Sequence, residues 1–189
     1  MSMLCQLRAV SEAEARALIA DPSDIQFFLS GYEPPPPKPG WWSRLSGRSS
    51  APAPVRRWDE PRVSDCLDLD KSWHVLHYIF SRDPWAGVLP QATLLSGGNE
   101  LGDIDVGYGP ARIYTLQEVR EFSSFLATLT RQNFLDGISA PALHDSEIYG
   151  VGDNEDIADL EPLWDYVEAL KRFLDDVMSR DQWVIMHLY

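Results

Sequence analysis

Eight of the fourteen prolines fall between Glu33 and Arg62, and this concentration limits the fold more than any other feature. Proline removes a backbone donor and fixes φ near −65°, so neither a paired strand nor a long helix survives at that density. Pro34, Pro35, Pro36, Pro37 and Pro39 crowd the start of the stretch, and Pro52, Pro54 and Pro61 close it. Any packed core must therefore be assembled from the segments on either side. The charge inverts there as well. Lys38, Arg44, Arg48, Arg56, Arg57 and Arg62 meet only Glu33, Asp59 and Glu60, whereas the whole chain carries −13. A basic insertion at about 33–62, attached to an acidic body and attracted back onto it, is the expectation. It reads either as a surface insertion without a role or as a polyproline ligand for an aromatic groove.

The flanking segments carry clearer signals. Met3, Cys5 and Leu7 alternate with Ser2, Gln6 and Arg8, which predicts a strand within Met1–Val10. Ser11 and Glu14 form a capping box for a helix to about Ala20, and Asp21-Pro22 opens a second helix that stops near Gly31. Leu67–Phe80 predicts a helix with Leu69, Trp73, Leu76 and Phe80 on its apolar arc. Val88–Leu95 reads as extended, and a glycine-rich stretch follows up to Gly109. Thr115 and Glu118 make a second capping box, and 131–138 suits a short helix. A long amphipathic helix is expected from about Asp156 to Arg180, then a strand buried on both faces over Trp183–Tyr189. The whole, 1–189, is read as one compact α+β domain. A small mixed or antiparallel sheet including both terminal strands would pack against about five to six helices.

The balance of charge excludes some partners. A net −13 repels nucleic acid and anionic membrane surfaces, and it fits a soluble protein that meets a basic protein partner. Two cysteines, Cys5 and Cys66, give no disulfide framework and no metal-type spacing, so reduced thiols and a cytoplasmic location are expected. No run approaches the ~18 apolar residues of a membrane span, and the first residues lack the pattern of a signal peptide. No cofactor or metal is called for.

Asp70, His74 and His77 stand at i, i+4 and i+7 on the predicted helix and so form a stripe. A carboxylate beside an imidazole suits general acid–base work, and the same three could begin a metal site if His144 or His187 joined them. The plainer reading has Asp70 capping the helix and both imidazoles bonding backbone groups at a half-buried border. Arg112 follows Tyr108-Gly109-Pro110-Ala111, a turn that would aim its guanidinium at an anionic substrate or at one of the many acidic side chains. Tyr108, Lys71 and Tyr149 complete the candidate substrate-binding set. There is no GxSxG, no phosphate-binding glycine loop and no calcium loop. Two function classes follow. One is a non-enzymatic binding protein; the other is a hydrolase or transferase acting on a small anionic substrate.

Several strings occur in an order that resembles one family. Met3-Leu4, the Leu67–Phe80 segment with Asp-Lys-Ser-Trp-His, Leu95-Ser96-Gly97-Gly98, Tyr108-Gly109-Pro110-Ala111-Arg112, Ile148-Tyr149 and the closing helix and strand are similar to the YfbM-like proteins of bacteria. The resemblance spans almost the whole chain and departs from the family at Pro34–Pro61. It implies a cytoplasmic bacterial α+β domain and no particular reaction.

Overall fold

The computed structural model describes residues 2–30, 58, 60–151 and 156–189. Five strands form one antiparallel sheet in the order β2-β1-β5-β4-β3. At its centre, β1 (Cys5–Val10) pairs with β5 (Trp183–Leu188) without a register shift, from Cys5↔Leu188 to Val10↔Trp183. The sequence explains that placement. β5 is apolar on both sides, and alternate residues serve two cores: Val184 and Met186 face one, Ile185 the other. A strand of that kind is stable only with neighbours on both edges and cover on both faces.

Helices supply the cover unequally. Among the described residues there are seven. On the larger face lie α3 (Ser72–Ser81), α5 (Leu116–Ala127) and α7 (Trp164–Ser179), whose apolar residues join Cys5, Leu7, Val184 and Met186. On the other face α1 (Glu12–Ala20) and α2 (Ile25–Ser30) bury Ala15, Leu18, Ile25 and Phe28 against Val10, Ile113 and Ile185. Two short helices, α4 (Thr93–Ser96) and α6 (Ala140–Asp145), sit in connections. Both predicted capping boxes form: Ser11 Oγ accepts from Glu14 N–H, and Thr115 Oγ1 accepts from Glu118 N–H.

Five segments differ from the sequence reading. Leu67–Asp70 belongs to β2 (Cys66–Asp70), because Leu67 and Leu69 alternate with Asp68 and Asp70 and the segment pairs with β1. Asp70 then takes a left-handed φ of 49°, and the helix begins only at Ser72. The glycine-rich stretch contains β3 (Asn99–Asp105), paired with β4 (Pro110–Tyr114), despite a sequence with little preference for strand. Val88–Leu95 forms turns leading into α4, and 131–138 forms turns in place of a helix, with α6 following. Pro162 has no N–H, and the long helix is correspondingly split into a 3-10 segment (Ile157–Leu163) and α7. Most of the basic insertion lies outside the described residues, including Trp41, Trp42 and the expected fold-back. Trp58 and residues 60–62 are described; Trp58, half-buried, meets Phe28 edge-on at 5.2 Å.

Candidate functional site

The histidine helix is buried all round. Every residue from Trp73 to Phe80 is buried, and His74 and His77 have no exposed surface. Trp73 packs in the larger core as its spacing predicts, with His74 stacked on it at 4.9 Å. His74 has both ring nitrogens engaged. Tyr149 N–H donates to Nδ1 at 2.9 Å, and Nε2 lies 2.6 Å from Pro84 O. An amide can only donate and a carbonyl can only accept, so the ring is neutral with its proton on Nε2. Burial lowers its proton affinity below the ordinary value of 6.5, against a smaller pull from the Pro84 carbonyl.

His77 is no better placed for proton transfer. Burial, then its neighbour His74, lower its proton affinity, while the Ala86 backbone and Asp83 oppose them. Ala86 is nevertheless outside hydrogen-bonding geometry, for His77 Nδ1 has no partner among the described residues. Ser81 Oγ stands 3.3 Å from His77 Nε2 and superficially completes a serine–histidine dyad. Its proton is directed instead to the carbonyls of His77 and Asp83, each at 2.8 Å, and it accepts Asp83 N–H at 3.1 Å. The imidazole therefore has no hydroxyl to deprotonate.

The remaining predicted residues scatter. Asp70 and Lys71 are exposed at the strand–helix junction; Lys71 occupies the cap position, and no side chain caps the helix. Arg112 belongs to β4, and each nitrogen of its guanidinium has an internal partner: Nε donates to Gly97 O at 2.6 Å, Nη2 to Gly98 O at 2.9 Å and Nη1 to Glu100 at 3.0 Å. It shares no hydrogen-bond partner with His74. Tyr149 supports the helix through its stack on Trp73 at 6.5 Å and its N–H on His74, and its hydroxyl accepts Met3 N–H at 2.7 Å. Tyr108 lies at the β3–β4 turn with its N–H on Leu188 O. Among the described residues, no group of three or more His, Cys, Asp or Glu side chains is arranged to hold a metal, and no helix is long and apolar enough to cross a membrane.

His74 instead holds a loop in place. Asp83 Oδ1 accepts the amides of Trp85 and Ala86 at 2.9 and 2.7 Å, Pro84 is tied to His74, and the Trp85 ring rests 4.4 Å from the His74 ring. The two amides keep the Asp83 carboxyl below the usual carboxylate range. Beyond this clamp the loop displays Trp85 at 58%, Val88 at 80% and Leu89 at 48% exposure. Pro90 borders an open hollow of about 700 Å³ beside α5, floored by Phe125 and edged by Gln117, Arg120 and Glu121.

The model for a domain of unknown function, DUF1877, matches residues 1–187. The chain belongs to the DUF1877 family. A solved structure, described as a protein of unknown function, YfbM from Escherichia coli, has the same fold at a TM-score of 0.64. It is 18% identical, over 98% of this chain and 99% of that one. No functionally curated protein matches.

This DUF1877 domain has a second polar place that the sequence reading missed. His187 is the one strongly polar residue of the apolar β5 run, and it points to the face covered by α1 and α2. It is 8% exposed, and its Nδ1 has no partner among the described residues. Burial, then the Arg8 guanidinium, push its pKa down to about 4, against the weaker pull of Asp68. Arg8 itself is buried, stacks 3.9 Å over the Phe28 ring and donates to Phe28 O at 2.7 Å. Beside His187 lies a cleft of about 310 Å³. The signal in the sequence was there: an imidazole inside an apolar strand needs an explanation.

Proposed function

We propose that this domain is a non-enzymatic binding protein of the bacterial cytoplasm that engages a basic, amphipathic segment of a protein partner through the Trp85–Leu89 loop and the hollow beside α5. One observation carries this reading. The polar groups that an enzyme would need, His74 and Arg112, are closed by internal partners, and the closure of His74 fixes an apolar loop facing outward. Exposed large apolar residues on a loop held in advance lose little conformational freedom on binding. They are the kind of group that anchors protein interfaces. Charge supports a basic partner: the chain carries −13, and Glu118 and Glu121 border the space around Leu89 and Pro90. The two free thiols support a reducing compartment.

The test uses a lysine–leucine amphipathic model peptide, followed by calorimetry at low and high salt. Saturable binding that weakens with salt is expected, with loss of at least tenfold affinity in Val88→Ser/Leu89→Ser at an unchanged melting temperature. Equal binding by the variant would overturn the site, and equal binding of a glutamate–leucine peptide would overturn the charge argument. Stabilisation by inorganic phosphate or small carboxylates, lost in His74→Gln, would favour the enzymatic alternative.

A further inference from the structure

We propose that the cleft beside His187, on the sheet face opposite α5, is a binding site for a small organic ammonium group. Its walls come from three elements that converge at one end of the sheet. Asp105 ends β3 and Val106 opens the turn to β4, Gln26 and Leu29 belong to α2, and His187 and Tyr189 lie at and just past the end of β5. The hairpin reaches this corner because Gly107 has no side chain. A Cβ there would stand 2.6 Å from Leu188 O and from Tyr189 Cα.

The cleft holds a carboxylate oriented in advance. Gly107 N–H and Gly109 N–H both donate to Asp105 Oδ1, at 2.8 and 3.0 Å, which fixes the group and favours its ionised form. Asp105 Oδ2 has no hydrogen bond or ion pair among the described residues. Gln26 donates through Nε2 to Asp105 O at 3.1 Å, leaving its own amide oxygen as an acceptor. Tyr189, 40% exposed, stacks on the His187 ring at 5.3 Å and lines the cleft with the remainder of its aromatic surface. A fixed carboxylate, a carbonyl oxygen and an aromatic face together suit an alkylammonium ion, while Leu29 and Val106 suit its carbon chain.

Other occupants fit less well. An anion would meet Asp105 with no cationic side chain in the lining, since Arg8 is turned onto Phe28. A metal ion would find one carboxylate and one imidazole, fewer ligands than a protein site supplies. His187 is neutral at physiological pH and so adds no repulsion to an incoming cation. Arg8 and the two carboxylates Asp68 and Asp105 leave this corner with an excess of negative charge. At about 310 Å³ the volume is at the lower end for small-ligand sites, which limits the occupant to a few carbons beyond the ammonium.

The test is a nuclear magnetic resonance titration with butylammonium, n-butanol and butyrate. Butylammonium should shift the Gly107 and Gly109 amides and the Gln26 side-chain amide saturably, with half-saturation on the order of millimolar. Butanol and butyrate should not. Asp105→Asn keeps the acceptor for the turn amides and should weaken binding at least tenfold. If that variant unfolds, Tyr189→Leu serves in its place, with a loss of a few fold. The peptide Ala-Lys-Ala distinguishes the sources: shifts at least as strong as those from butylammonium assign the site to a lysine side chain of another protein, and weaker ones to a free amine. Equal response to butyrate, or no response to either ammonium compound, overturns the proposal.

Discussion

His74 and His187 are both buried neutral imidazoles, yet they sit in opposite situations. His74 lies in the larger core with a donor on one nitrogen and an acceptor on the other, both from the backbone, Tyr149 from far along the chain and Pro84 from the adjoining loop. His187 lies on the smaller face with Nδ1 unpartnered and open space beside it. A buried polar group that is fully paired stabilises the arrangement around it; one that is not costs free energy unless something else supplies the partner. The difference teaches where to look for function. The conspicuous string in the sequence, Asp-Lys-Ser-Trp-His, marks architecture, and the inconspicuous residue marks an open corner.

The two regions separate under perturbation. The largest effect is expected at the foundation of the histidine helix: Trp73→Ala should lower stability by about 3–5 kcal/mol in urea unfolding. A much smaller loss would mean that the helix is not anchored in the larger core. Acid comes next. The folded-state pKa of His187 is depressed from 6.5 to about 4, so the unfolded chain binds more protons between those values. Stability is then complete above about pH 6.5 and falls as the pH drops towards 4, by on the order of 3 kcal/mol from this residue. His74 and His77 are lowered too and act in the same direction. The pH profile of unfolding should flatten in His187→Leu, and an unchanged profile would place the titration elsewhere.

Leucine at the two positions sharpens the contrast. His74→Leu leaves Pro84 O and Tyr149 N–H without partners and should cost about 2 kcal/mol, with faster hydrogen exchange at the Trp85 and Ala86 amides. His187→Leu removes a group whose Nδ1 is already unpartnered and should change stability by less than about 1 kcal/mol at pH 7. Similar costs at both sites would erase the distinction. The smallest effect is expected outside both cores. Replacing Lys38–Ala53 with a short glycine linker keeps Trp58 against Phe28, and a single cooperative transition should persist. Loss of that transition would show that Trp41 and Trp42 belong to the core.

What the sequence made legible was local. Ser11 with Glu14 and Thr115 with Glu118 announce helix starts because each box closes within three residues. The β5 run announces a central strand because its apolar residues leave it no solvent-facing side. The histidines were misplaced at a polar border because helical spacing cannot report what covers the second side. That cover comes from the loop at Pro84 and from Tyr149, seventy-five positions away in the chain. Arg112 showed the same limit. Its Gly-Pro context suggested a cation aimed at an anion or an acidic side chain; Glu100 is that side chain, while the carbonyls of Gly97 and Gly98, contributed by the turn into β3, were not foreseen. β3 itself was invisible, since Glu100-Leu101-Gly102-Asp103 is held by pairing with β4 and by Leu101 in the smaller core. The DUF1877 fold was thus readable from its ends and its caps, while the candidate sites depended on contacts between distant segments.

Nitrogen-15 spectroscopy of the imidazole rings tests most directly whether the signature histidine builds the loop or performs chemistry. His74 is predicted to show a single neutral tautomer, protonated at Nε2, that holds unchanged from pH 8 to below its ordinary pKa of 6.5. A His74 ring that exchanges between tautomers and titrates at or above 6.5 would contradict this account and return the residue to the list of proton-transfer groups.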